Sequence, residues 1–182
     1  AEYGGGHAVR RKRNAPVALS TCYQYPGPAS VRYPRGAGCG AAESAGLETV
    51  EVGRGVVRRE GRKIAILGFG TLVSAALAAA DKLDATVADM RFVKPIDREL
   101  ILDLAARHDA LVTLEDASIM GGAGSAVLET LSAAGVQTPV LQLGLPDAFI
   151  DHGDQSALLA GIGLDAAGIE RSIRARYADL LA

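Results

Sequence analysis

The chain has 182 residues, 49% of them hydrophobic, with no Trp and 4% aromatics, so one ordinary domain with helices layered on a sheet is the natural expectation. A formal charge of -2 excludes the broad positive field that gathers nucleic acid or an anionic membrane. No apolar run approaches the ~20 residues that cross a bilayer, and the amino terminus lacks a secretion-signal order, so a soluble, cytoplasmic protein is expected.

Residues 1–48 read as tail and linker. They carry glycines at 4–6, a basic cluster at Arg10-Arg-Lys-Arg13, and Tyr25-Pro-Gly-Pro28. The basic cluster lies among glycines without apolar periodicity and reads as a solvated tail. Cys22 and Cys39 are too few and too far apart for a disulfide framework or a zinc site.

Regular signals begin at about Thr49, and residues 49–182 form the expected domain. Ile64-Ala-Ile-Leu67, closed by Gly68-Phe-Gly70, fits a strand buried on both faces. Thr71 can cap the Ala-rich helix expected from Leu72 to Lys82, and Ala85 to Met90 returns to strand character. Asp97 stands where a carboxylate accepts the free N–H groups of a helix running to about Arg107. A strand is expected at Ala110–Leu114, a helix at Gly122–Ala134 and a strand at Pro139–Leu143. Two short helices follow, near Asp154–Ala160 and Asp165–Leu181. This alternation predicts an α/β fold, a mostly parallel wound sheet with helices on both faces, whose ligands and partners meet the carboxyl ends of the strands.

Several residues at those ends could carry chemistry, and each has a plainer reading. Gly68-Phe-Gly70 begins a dinucleotide fingerprint, but Val73 occupies the third glycine position, which favours a simple tight turn. Met120-Gly-Gly-Ala-Gly-Ser125 could offer backbone N–H groups to an anion, or its glycines could let a helix pack closely on another backbone. Glu115-Asp116 could move protons, yet no nucleophile or orienting His is within sequence reach, so a cap or a hydrogen-bonded contact is the simpler role. His7, His108 and His152 are scattered without ligand spacing, which speaks against a metal site, and His108 complements the negative end of its helix. In Arg32-Tyr-Pro-Arg35 two guanidinium forks flank a stiff proline, a pattern open to phosphate binding or to a surface salt bridge.

Five segments resemble the end of the 1-deoxy-D-xylulose-5-phosphate synthase family, in the family's order. They are Tyr25-Pro-Gly-Pro-Ala-Ser-Val-Arg-Tyr-Pro-Arg-Gly36, Ile64-Ala-Ile-Leu-Gly-Phe-Gly-Thr71, Ala88-Asp-Met-Arg-Phe-Val-Lys-Pro-Ile-Asp97, Ile119-Met-Gly-Gly-Ala-Gly-Ser-Ala126 and Leu143-Gly-Leu-Pro-Asp147. Gly163-Leu-Asp-Ala-Ala-Gly168 extends the likeness, which runs from about Ser20 to the last residue. Residues 1–19 do not resemble the family, and Asp116 and Ser118 depart from its commonest residues.

The resemblance implies a transketolase-type carboxyl-terminal domain, with residues 20–36 like the end of a preceding pyrimidine-binding domain. It implies an enzyme that uses thiamin diphosphate and magnesium to join pyruvate to D-glyceraldehyde 3-phosphate with loss of CO2, for isoprenoid precursors. The cofactor-activating glutamate, the magnesium ligands and the proton-transfer histidines lie upstream in the family. No catalytic, cofactor-binding or metal-binding residue is therefore expected in this chain. Arg35 matches the arginine that grips the substrate phosphate, and Arg32 is a weaker substrate-binding candidate. The expected partners are the thiamin-binding domains of the same family or a second copy of the chain. Alternatives are a free-standing interaction module, half of a split thiamin-diphosphate enzyme, or the related domain of a 2-oxoacid dehydrogenase β subunit.

Overall fold

A computed structural model describes residues 21–28 and 49–181. Residues 21–24 are helical, and the Thr21 hydroxyl accepts a hydrogen bond from Val50 N at 3.1 Å. The domain beyond them contains five strands. These are β1 (Val56–Arg59), β2 (Ile64–Phe69), β3 (Thr86–Asp89), β4 (Ala110–Ser118) and β5 (Val140–Leu145). Its helices are α1 (Val73–Leu83), α2 (Arg98–Arg107), α3 (Ala123–Ala133), α4 (Gln155–Gly161), α5 (Ala166–Arg176) and α6 (Ala178–Leu181).

The sheet order is β1-β3-β2-β4-β5, with β2, β3, β4 and β5 parallel and β1 antiparallel at one edge. β2 lies at the centre and is buried throughout, which explains its unbroken apolar run. Alternate residues supply two cores. Ile64, Ile66, Val87, Val112 and Leu114 face α1 and α5, whereas Ala65, Leu67, Ala88 and Leu111 face α2 and α3. At roughly 1.5–3 kcal/mol for each buried Leu, Ile or Val, these two layers are the main source of stability.

Local chemistry sets the helix ends. Asp97 accepts from Leu100 N at 3.0 Å, Asp154 from Ala157 N at 3.0 Å and Asp165 from Gly168 N at 2.8 Å, so α2, α4 and α5 each start on a capping carboxylate. Asp97 also accepts from Gly55 N at 2.8 Å and so ties the entry of β1 to the start of α2. His108 ends α2. Its Nδ1 lies 2.8 Å from Leu104 O and its Nε2 2.8 Å from Thr86 Oγ1, which fits the tautomer that donates from Nδ1 to the carbonyl.

Three expectations need correction. Thr71 does not cap α1. It belongs to a 3-10 turn over Gly70–Leu72, and its hydroxyl donates to Asp116 Oδ2 at 2.7 Å. β4 continues to Ser118, four residues past its expected end, because β5 pairs with it as far as Ser118. β1 was not anticipated, since its Val56-Val-Arg-Arg59 is short and half-exposed at a sheet edge.

Candidate functional site

The carboxyl ends of β2 and β4 form the point where the chain changes direction: α1 follows β2 onto one face of the sheet, and α3 follows β4 onto the other. In open α/β sheets that crevice is where ligands bind. Here it holds a cleft of about 310 Å³ lined by Phe69, Val93, Asp116, Gly122, Ser125 and Glu129, among others.

The most prominent occupant of this edge is a protein side chain. Glu115, only 3% exposed, accepts from Ala123 N at 2.7 Å through Oε2 and from Gly124 N at 2.8 Å through Oε1. The first free N–H groups of α3, where an external anion would bind, thus receive an internal carboxylate. The glycines make this possible. A Cβ on Gly122 would meet Glu115 Oε2 at 2.3 Å, and one on Gly124 would meet Thr113 Oγ1 at 2.5 Å. Both readings of the glycine run therefore hold in part: the helix start does bind an anion, and the anion is the protein's own.

The start of α1 is filled as well. Val73 is fully buried, and its Cγ2 would lie 2.6 Å from a Cβ on Gly68, so the glycine receives the valine side chain and leaves no cradle for a pyrophosphate. The Thr71–Asp116 hydrogen bond spans the crevice between the two turns. Among the described residues no group of three or more His, Cys, Asp and Glu is arranged to hold a metal ion. The described residues do not fit thiamin diphosphate, because both glycine-lined helix starts that could take a diphosphate are closed by Glu115 and Val73.

One strand away the electrostatics differ. Asp89, the last residue of β3, is 1% exposed. Its Oδ2 accepts from Arg58 Nη2 at 2.9 Å and Nε at 3.3 Å, and Arg91 Nε lies 3.9 Å from the same oxygen. Its Oδ1 has no hydrogen-bond partner. Burial pushes the Asp89 carboxyl up from its ordinary range, against the pull of Arg58, and burial lowers the pKa of the Arg91 guanidinium. Arg91 has φ 58, the left-handed region, in a tight three-residue turn closed by Phe92 N donating to Met90 O. For a residue with a Cβ this conformation costs roughly 1–2 kcal/mol.

Sequence reasoning left Arg91 without a role. A single arginine in Met-Arg-Phe-Val has no periodic or spacing signal, and its turn becomes visible only in three dimensions. Arg32 and Arg35 lie outside the described residues. Large apolar side chains are also exposed at this edge: Met120 at 70%, in the turn after β4, and Phe149 at 108%, in the loop after β5. Ile119 N donates to Leu145 O at 3.1 Å and brings those two loops together. No described helix is long and apolar enough to cross a membrane.

Residues 53–169, well over half of the chain, match the family described as transketolase, C-terminal domain. The chain belongs to that family. It is 79% identical to the 1-deoxy-D-xylulose-5-phosphate synthase of Bordetella parapertussis, over 92% of this chain and 27% of that protein. With the synthase of Leptothrix cholodnii the identity is 61%, over 88% of this chain and 26% of that protein. The chain thus spans about a quarter of the length of these curated relatives. Among solved structures, a split-gene transketolase described as an inactive beta4 tetramer superposes with TM-score 0.77 and 33% identity, covering 96% of this chain and 58% of that one. Transketolase from Leishmania mexicana shares the fold at TM-score 0.50 and 18% identity, over 70% of this chain and 19% of that one. The transketolase C-terminal-domain fold and the likeness to the synthases, both expected from the sequence, are borne out.

Proposed function

We propose that this chain is the carboxyl-terminal part of a 1-deoxy-D-xylulose-5-phosphate synthase, and that it acts as an accessory domain without turnover of its own. In that role it supports assembly and lends cations to an active site built by other domains. The observation that carries the reading is the 79% identity to synthases of which the chain spans only 27%. The crevice closed by Glu115, Val73 and the Thr71–Asp116 hydrogen bond supports it, because the usual ligand position of the fold is filled by the protein itself. The whole synthase joins pyruvate to D-glyceraldehyde 3-phosphate with loss of CO2, and thiamin diphosphate and magnesium bind to its other domains.

In this reading Arg35 grips the phosphate of the aldehyde substrate, and Arg32 beside it is a secondary contact. Arg91 adds a third cation from the sheet edge. Arg58 and Arg91 share one buried carboxylate, so the cluster carries one uncompensated positive charge, which suits an incoming anion. In the assay that tests the reading, the purified chain is mixed with pyruvate, D-glyceraldehyde 3-phosphate, thiamin diphosphate and magnesium. No product is expected, and product above the protein-free blank would overturn it. Built into a full-length synthase, Arg35→Ala should cost about 1.5–3 kcal/mol in recognition of the aldehyde phosphate. An unchanged KM would remove Arg35 from that role.

A second reading, half of a split enzyme, is favoured by the structural neighbour, a split-gene transketolase found as an inactive tetramer of its β chain. The exposed Met120 and Phe149 suit either a missing domain or a second copy. Under this reading the chain alone self-associates, and a separately expressed polypeptide with the thiamin-binding domains co-purifies with it and restores activity. A light-scattering mass equal to the monomer, with no co-purification, would exclude it.

A further inference from the structure

We propose that Arg58 and Asp89 are a positioning pair that fixes Arg91 for anion binding at the carboxyl edge of the sheet, an inference that rests on the role given to Arg91 above. Three observations meet at one carboxylate. β1 pairs with β3 through Val57↔Ala88 and Arg59↔Val87, so Arg58 is the extra residue of a β-bulge. A bulge re-aims a side chain, and here the re-aimed guanidinium reaches Asp89 with two nitrogens, Nη2 at 2.9 Å and Nε at 3.3 Å.

The second observation is the backbone of Arg91. Holding a residue with a Cβ at φ 58 is unfavourable, and such turns persist where the surroundings impose them. Met90 N donates to Gly68 O at 2.9 Å on one side of the turn, and Phe92 is buried on the other, so the turn is clamped at both ends. The strain therefore serves to place one side chain, that of Arg91.

The third is the incomplete pairing. Asp89 uses one oxygen for both arginines and leaves Oδ1, buried, without a partner. Glu115, by contrast, uses both of its oxygens. Asp89 meets the Arg91 guanidinium only at ion-pair distance, Nε at 3.9 Å, and that guanidinium makes no hydrogen bond to a described residue. Arg58 has the complementary task. By occupying Asp89 Oδ2 in a two-nitrogen contact, it keeps the carboxylate from closing fully on Arg91 and quenching its charge.

The experiment uses a full-length synthase carrying these residues as its carboxyl-terminal domain, assayed with D-glyceraldehyde 3-phosphate and with unphosphorylated D-glyceraldehyde. Arg91→Ala, Asp89→Asn and Arg58→Gln should each raise KM for the phosphorylated aldehyde about tenfold, the loss of a well-placed charge-assisted contact. All three should leave kcat within about twofold and leave KM for the unphosphorylated aldehyde unchanged. Asp89→Glu should recover part of the loss. If Arg91→Ala raises KM but Asp89→Asn and Arg58→Gln do not, the positioning role fails and the anion-binding reading stands. If Arg91→Ala leaves KM unchanged, that reading fails and the inference with it. A loss equal for both aldehydes would show a merely structural cluster and overturn the inference. Should Asp89→Asn fail to fold, Arg58→Gln, at a partly exposed edge bulge, carries the same test.

Discussion

Two buried carboxylates, Asp89 at the end of β3 and Glu115 towards the end of β4, flank the central β2, and their environments are opposite. Glu115 gives both oxygens to backbone N–H groups of α3 and faces no cation, whereas Asp89 gives one oxygen to two arginines and leaves the other unpaired. The first arrangement is closed: both carboxylate oxygens are matched inside the protein, and the buried polar atoms left over beside it, Thr113 Oγ1 and Gln142 Nε2, are uncharged. The second carries a surplus of positive charge and a strained backbone. In a fold whose crevice ordinarily takes a ligand, a satisfied anion marks a part of the edge given over to stability. In the role proposed above, the unbalanced cation cluster is the part that meets an incoming anion.

The largest effect expected on the closed side is from Glu115→Ala. It removes two charge-assisted hydrogen bonds and leaves buried N–H groups at the start of α3, so unfolding stability in urea should fall by about 3 kcal/mol or more. A loss below 1 kcal/mol would mean that water replaces the carboxylate, and the contrast between the two sites would collapse.

Gly124→Ala tests the cradle itself. Alanine would gain up to about 1 kcal/mol of helix propensity, but its Cβ would stand 2.5 Å from Thr113 Oγ1 and 2.7 Å from Gln142 Nε2. Overpacking of a β-branched neighbour on a central strand costs roughly 1–3 kcal/mol, so a net loss is expected. Gly161→Ala provides the control. Nothing lies within 4 Å of its added Cβ at the end of α4, and stability should hold or rise by about 0.5 kcal/mol. Equal behaviour of the two alanines in denaturant titrations would sink the packing argument.

On the Asp89 side a smaller, pH-dependent effect is expected. Burial raises the Asp89 pKa in the fold above its unfolded value, so between the two values the native state holds more protons. That contribution to stability is present below the unfolded pKa and is lost as pH rises through the folded one. Asp89→Asn should remove this decline from a stability profile measured from pH 3 upward, and an unaltered profile would contradict the assignment. The smallest effect is expected at Glu170, whose pKa is lowered by its hydrogen bonds to Arg174 and Lys82. Its contribution is present above the ordinary carboxylate range and fades as pH falls through the lowered value. Because the pair is exposed and salt-screened, Glu170→Gln should shift the melting temperature only slightly, and less in high salt.

Much of this was legible in the residues alone. The apolar run of β2, the Ala-rich α1, the carboxylate at Asp97 and the strand–helix alternation are local or periodic signals, and each produced the element expected of it. Several short segments in the family's order also pointed to the family. Legibility declined where long-range partners decide. β1 is too short to announce itself and exists because β3 offers an edge to pair with. Glu115 reads as a possible acid until α3 folds back onto it eight residues later. Thr71 reads as a cap until Asp116, 45 residues away, takes its hydroxyl. The sequence by itself determined which stretches are helix and strand and which face of each is apolar, because those follow from side-chain period and local hydrogen bonding. Only the tertiary structure decided which charges are matched and which are left over, because that balance depends on which residues the sheet order makes neighbours.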